Sequence, residues 1–226
     1  MKTAIVTGSS GNLGPVWVET LTNIGYSVFT LDLPLFDVTD NAAMFLASSE
    51  IADMTKPPSV IVLNAAIDNP PGSEAAFFGN YERIIEVNQI GVKNVVEAFL
   101  PKMIENGGGA IVGITSIQAR IGSDWRNYPE GFEKPCAYGQ SKAAMEAFMR
   151  QLTVQYGRYG IRACCIGFGA YDSGKLDPVF LGKYLKNVPL GRPVSRQSAK
   201  AALRFAVECP EFAGQVALVD GGYCAL

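Results

Sequence analysis

The sequence predicts an α/β protein with a doubly wound parallel sheet in three α/β/α layers, carried by one domain spanning 1–226. Three observations point there. Short apolar runs rich in β-branched residues recur along the chain, each too short for a buried helix. Helical stretches separate them, the alternation that right-handed crossovers impose on a parallel sheet. The first run opens into a glycine-spaced turn, Gly8-Ser9-Ser10-Gly11-Asn12-Leu13-Gly14, which feeds a helix. Strand, glycine turn and helix in that order describe a Rossmann-type unit.

The elements follow in order. Lys2–Thr7 reads as a buried first strand. Val16–Ile24 has helical character and stops at Gly25. Tyr26–Leu31 is a second strand, ending at Asp32. Further strands are read at Ser59–Leu63, Gly109–Ile114, Ile161–Ile166 and Gln215–Val219. Helices are read at about 41–50, 82–105, 137–158 and 196–208. No internal repeat or linker interrupts them. Gly8, Asp32, Asn64, Ser116 and Gly169 each fall just after a strand. They therefore share the sheet edge where ligands of such folds bind.

The glycine turn at Gly8, with Ser10, Asn12 and Leu13, precedes a helix N-terminus. Backbone N–H groups there meet the charge of a pyrophosphate, and the helix dipole adds to the attraction. Asp32 at the end of the second strand is placed to accept hydrogen bonds from ribose hydroxyls and to repel a 2′-phosphate. No Lys or Arg lies between Thr7 and Asp32 to offset that repulsion. The expected cofactor is NAD(H) in preference to NADP(H). Tyr138 and Lys142 stand at i, i+4 in a helical run, which puts phenol and ammonium on one face. A nearby lysine cation lowers a phenol pKa, so the pair is suited to moving a proton at a hydroxyl or carbonyl.

Composition narrows the choices. The chain has no histidine, which removes Ser-His-Asp triads and His-based zinc sites, and no metal is expected. Net charge is −2 with no basic run, so nucleic acid is not an expected partner. No apolar stretch reaches membrane-spanning length, and the first strand starts too early for a leader segment. Five cysteines without a Cys-x-x-Cys pattern suggest reduced thiols and a cytoplasmic protein.

Taken together the motifs resemble the short-chain dehydrogenase/reductase family over nearly the whole chain. The matching residues are the glycine turn, Asn64-Ala65-Ala66, Asn88, Ser116, Tyr138 with Lys142, and the C-terminal Gly214-Gln215 and Asp220-Gly221-Gly222. The resemblance implies an NAD(P)-dependent oxidoreductase acting on an alcohol or ketone. Ser116 would bind the substrate oxygen and Tyr138 would transfer the proton. Lys142 would tune the tyrosine and bind the nicotinamide ribose, and Asn88 would hold a helix distortion and a relay water. Asp37 and Val38 would meet the adenine, and Gly169, Tyr171 and Ser173 the nicotinamide. Asp37 follows Asp32 closely, so the helix that usually separates those points is expected to be missing. Phe168 stands where the family has proline.

The segment 117–136 between Ser116 and Tyr138 is longer than usual and is expected to cover the substrate. With residues 64–70 it resembles a subgroup associated with bacterial surface-glycan and acidic-sugar pathways. That likeness makes a sugar derivative the expected substrate, with Trp125 or Tyr128 packing on it and Arg120 or Arg126 meeting an anionic group. The resemblance also implies a homodimer or homotetramer through helices 82–105 and 137–158. Their Ile84, Val87, Val95, Phe99, Met145, Phe148, Met149 and Leu152 exceed what one sheet face obviously needs. Two other readings stay open: a sugar-nucleotide epimerase or dehydratase with held NAD, and a non-catalytic dinucleotide sensor on the same fold.

Overall fold

A computed structural model describes residues 2–69 and 76–225; Pro70, which closes the 64–70 segment, lies outside them. Among the described residues one parallel sheet forms, from β1 (Lys2–Thr7), β2 (Tyr26–Leu31), β3 (Pro58–Leu63), β4 (Gly109–Ser116), β5 (Ile161–Phe168) and β6 (Val216–Val219). The strand order is β2-β1-β3-β4-β5-β6. The chain moves outward from β1 to β2 and then crosses back to β3. This reversal opens a crevice beyond the carboxyl ends of β1 and β3.

Alternation along the strands divides the core in two. Ile5, Ile61, Ile111 and Cys165 point to one face, where α2 (Asn41–Met54), α4 (Gly91–Glu105) and α5 (Cys136–Tyr156) pack with Met44, Phe99 and Met145. Ala4, Val6, Val62, Val112 and Ile166 point to the other, covered by Trp17 and Leu21 of α1 (Gly14–Asn23) and Leu203 of α7 (Arg196–Glu208). Both faces are apolar, as a parallel sheet covered twice requires.

The expected helix at 82–105 is divided. A short α3 (Tyr81–Ile85) runs into a π-helical turn, Glu86–Ile90, and only then into α4. Asn88 lies in that turn. Between Asp32 and Asp40 the chain makes turns and no helix, so α2 follows β2 directly, capped by Asp40 accepting from the Ala43 N–H at 3.0 Å. A helix that the sequence reading overlooked, α6 (Pro178–Leu185), follows β5.

One expectation about assembly needs correction. Ile84, Val87, Val95, Phe99, Met145, Met149 and Leu152 are buried in this chain itself, and Phe148 packs against the same core. Spacing alone had counted them as surplus, but α4 and α5 pack against the sheet and against neighbouring helices, and these residues fill both contacts.

Candidate active site

One cavity of about 730 Å³ runs along the carboxyl edge of the sheet from Gly8 and Asp32 to Tyr138 and Tyr184. Its first end is built by the turn after β1. Gly8 has φ +64°, and a Cβ there would lie 2.7 Å from the Ala65 Cα. A Cβ on Gly14 would overlap the carbonyl oxygens of Gly8 and Ser9. Side chains are excluded at both positions, so the turn can close on itself and pass close to the loop after β3. Asn64 locks this arrangement. Its Nδ2 donates to the Gly8 carbonyl at 2.7 Å, and its Oδ1 accepts from the buried Trp17 indole at 2.8 Å. Asn12, Leu13, Ala65 and Ala66 line the same space.

Asp32 accepts from the Ser10 N–H at 3.1 Å and the Ser10 hydroxyl at 3.0 Å, and from the Ser9 hydroxyl. The sequence reading named Ser10 as part of the turn and missed this bond across two strands. Asp37 is held by the Thr39 N–H at 2.9 Å, and these Thr39 bonds keep its carboxyl below the usual range. Val38 lies beside it along the cavity. Arg83, also missed, reaches the cavity from α3. It pairs with Glu86 at 2.7 Å and Asp37 at 3.8 Å.

The second end brings Ser116, Tyr138 and Lys142 together. Ser116 closes β4, its hydroxyl accepting from the Gln118 N–H at 3.2 Å, and it lines the cavity together with Tyr138, which sits in the first turn of α5. One turn on, Lys142 is 3% exposed and donates to the Ile114 carbonyl at 2.8 Å. Its ammonium lies 5.6 Å from the centre of the Tyr138 ring. Asn88 is fully buried and donates to the Ile67 carbonyl and the Ser141 hydroxyl, each at 3.0 Å. It also accepts from the Ile67 N–H at 2.9 Å, so the π-turn ties the loop after β3 to α5. Gly169, Tyr171 and Ser173 complete this wall, with Phe168 tilted against Trp17 at 5.8 Å between ring centres.

The expected lowering of the tyrosine pKa is not met by this geometry. Burial pushes the Tyr138 phenol above its ordinary value, and the Asp68 carboxylate pushes it further. Lys142 points at a backbone carbonyl and lies over the ring, so desolvation outweighs its charge. Tyr138 therefore stands as a neutral proton donor in this geometry. Burial also lowers Lys142 from 10.5 to about 8, against the opposing pull of Asp68 and Cys165. The folded state then binds fewer protons than the unfolded chain between pH 8 and 10.5, so this lysine's contribution to stability grows as pH rises through that window. Below pH 8 the folded chain carries the full penalty of the buried charge. Urea unfolding should therefore show wild type gaining on Lys142→Met across the window. A constant difference contradicts burial as the cause.

The segment 117–136 carries short helical turns at Ile117–Ala119 and Trp125–Asn127. Tyr128 is buried, stacks on Phe132 with ring centres 4.9 Å apart, and meets Phe180 of α6 at 5.1 Å. Asn127 donates to the Tyr223 hydroxyl at 3.0 Å, tying the segment to the C-terminal end. Three expected substrate residues lie elsewhere. Trp125 is 79% exposed and, with Arg120, lines a second hollow that adjoins the cavity and shares Gln118, Tyr128 and Lys134 with it. Arg120 pairs with the buried Glu146 at 3.3 Å. Arg126 pairs with Asp124 at 2.8 Å and projects outward. Each arginine has a carboxylate within reach that turns it from the cavity. The cation that this segment does bring to the cavity is Lys134, which the sequence reading left unassigned.

Residues 31–180 match the short chain dehydrogenase family. The 3-oxoacyl-acyl-carrier-protein reductase of Chlamydia trachomatis is 30% identical, over 95% of this chain and 84% of its own. The galactitol 2-dehydrogenase of Rhizobium johnstonii is 27% identical, over 90% of this chain and 78% of its own. Among solved structures, a gluconate 5-dehydrogenase from Burkholderia cenocepacia, described in complex with NADP and tartrate, superposes with a TM-score of 0.84. It is 22% identical and covers 100% of this chain and 96% of that one. With the sheet order, the glycine turn and the matched stretch all in agreement, the chain belongs to the short-chain dehydrogenase/reductase family of oxidoreductases.

Proposed function

We propose that the protein is an NAD-dependent oxidoreductase that interconverts an alcohol and a ketone on a sugar-like substrate. The observation that supports this most is the continuity of the cavity. One space joins the glycine turn and Asp32 to Ser116, Tyr138 and Lys142. A dinucleotide fits the residues present. Gly8 and Gly14 let the turn fold tightly on itself and on Ala65, where a Cβ would meet backbone atoms, and the N-terminus of α1 lies next to them. Asp32 and Asp37 stand at one end for ribose and base, and Tyr171 and Ser173 at the other. When bound, the nicotinamide supplies or accepts the hydride. Ser116 and Tyr138 then hold the substrate oxygen, and Tyr138 gives it a proton during reduction or takes one during oxidation. The Lys142 ammonium binds ribose hydroxyls and favours the phenolate once substrate is in place. Asn88 positions the relay through Ser141 and the loop after β3. The unpaired thiols of all five cysteines fit a reducing compartment such as the cytoplasm. Assembly as a homo-oligomer belongs to the same reading.

The choice of NAD rests on Asp32. A 2′-phosphate would face its carboxylate, and Arg83, which also lines the cavity, is already met by Glu86 and Asp37. NAD(H) should bind at least about 10-fold more tightly than NADP(H), and Asp32→Ala should narrow the difference. Calorimetric titration of both cofactors checks this. Equal affinity in the wild type contradicts it, and would point to Arg83 as a phosphate ligand.

A further inference from the structure

Lys134 and Asp68 form a charge pair in the wall of the cavity beside Tyr138. The Lys134 side chain is only 8% exposed, that of Asp68 32%. The ammonium lies 5.1 Å from the centre of the Tyr138 ring, closer than Lys142. It donates to Asp68 Oδ2 and, at 3.0 Å, to the Asn69 carbonyl. Asp68 Oδ1 accepts from the Asn69 N–H at 2.8 Å. An ammonium has three donors and each carboxylate oxygen can accept twice, so the pair keeps both a donor and acceptors for a ligand.

Charge decides what that ligand is. Arg120, Arg126 and Arg83 each face a carboxylate of their own. Lys134 is balanced by Asp68, so a carboxylate or phosphate arriving there meets a negative charge together with a positive one. A neutral hydroxyl, which donates and accepts at once, suits the pair better. Tyr128, Phe180 and Tyr184 add an aromatic wall on which the C–H face of a ring can rest.

We propose that Lys134 and Asp68 set substrate choice by binding a hydroxyl on the carbon next to the reacting one, so that the preferred substrates are neutral vicinal diols of the sugar and polyol class. This rests on the oxidoreductase reading above, and it replaces the acidic sugar expected from the arginines.

The test compares oxidation of cis-cyclohexane-1,2-diol with that of cyclohexanol, using NAD, in the wild type, Lys134→Met, Asp68→Asn and Lys134→Arg. The two alcohols differ only in the neighbouring hydroxyl. Wild type should favour the diol by about 10-fold or more in kcat/KM, the scale of hydrogen bonds to charged groups. Lys134→Met and Asp68→Asn should bring the ratio close to one, chiefly through the diol's KM, and Lys134→Arg should keep most of it. A merely structural role would lower both substrates together and leave the ratio alone. A wild-type ratio near one, an unchanged ratio in both charge-removing variants, or turnover of a 3-oxoacyl thioester but of neither ring alcohol overturns the proposal while the oxidoreductase reading stands. Absence of hydride transfer to or from all three compounds overturns that reading, and the proposal with it.

Discussion

Replacing Tyr138 with phenylalanine should reduce turnover by at least about 100-fold, the usual scale for losing a general acid–base group. The phenolic oxygen is the only heavy atom removed. The ring stays beside the two lysines, 5.1 and 5.6 Å from their ammonium groups, so the first turn of α5 should remain as it is. NAD affinity should therefore change little while kcat falls. Burial keeps this phenol protonated in the absence of ligand, which makes it ready to donate to a ketone. Under the proposed reading it loses its proton before oxidation, and the charge of Lys142 would matter at that moment. A variant with near wild-type kcat would show that another group carries the proton.

The largest effect on stability is expected from Trp17→Ala. Trp17 is fully buried among α1, β1 and β5, in contact with Phe168. Truncating a buried aromatic to alanine typically costs about 3–5 kcal/mol, a large share of an ordinary domain's stability. The loss also frees Asn64 Oδ1, so the clamp on the Gly8 carbonyl loosens and NAD affinity should fall along with stability. Trp17→Phe keeps most of the packing and removes the indole bond, with a smaller expected cost of about 1 kcal/mol. Urea unfolding of the three proteins measures this. A change below about 1 kcal/mol for Trp17→Ala would mean that the site collapses around the void, contrary to the close packing of the core.

How far the sequence could be read depended on the range of each interaction. The strands were legible because both faces of the sheet are covered, which leaves runs such as Ile5-Val6 and Val60-Ile61-Val62 with no polar alternation. The glycine turn was legible because Gly8 and Gly14 occupy places where no side chain fits. The π-turn at Glu86–Ile90 has no local signature, since its residues are ordinary helix formers. Only the resemblance pointed to a distortion at Asn88. The short α6 was overlooked because its eight residues mix proline, glycine and aromatics, although Asp177 before Pro178 is a capping signal that could have marked it. Arg120 and Arg126 were misplaced, and Lys134 passed over, for a single reason. Each side chain's direction is set by a carboxylate on another segment or a neighbouring turn, namely Glu146, Asp124 and Asp68. Glu146 and Asp68 lie far off in sequence and become visible only when the chain is folded, whereas Asp124, two residues before Arg126, was within reach of a sequence reading.

The measurement that bears most directly on the central claim is the fate of the carbinol hydrogen. cis-Cyclohexane-1,2-diol carrying deuterium on its carbinol carbons would be incubated with NAD and the wild-type protein, and the nicotinamide recovered for NMR. The account predicts deuterium at C4 of the reduced ring, on one face only, with the signal sharply reduced for Tyr138→Phe under the same conditions. Recovery of unlabelled cofactor, or label appearing in solvent with no reduced nicotinamide formed, would contradict direct hydride transfer in this cavity.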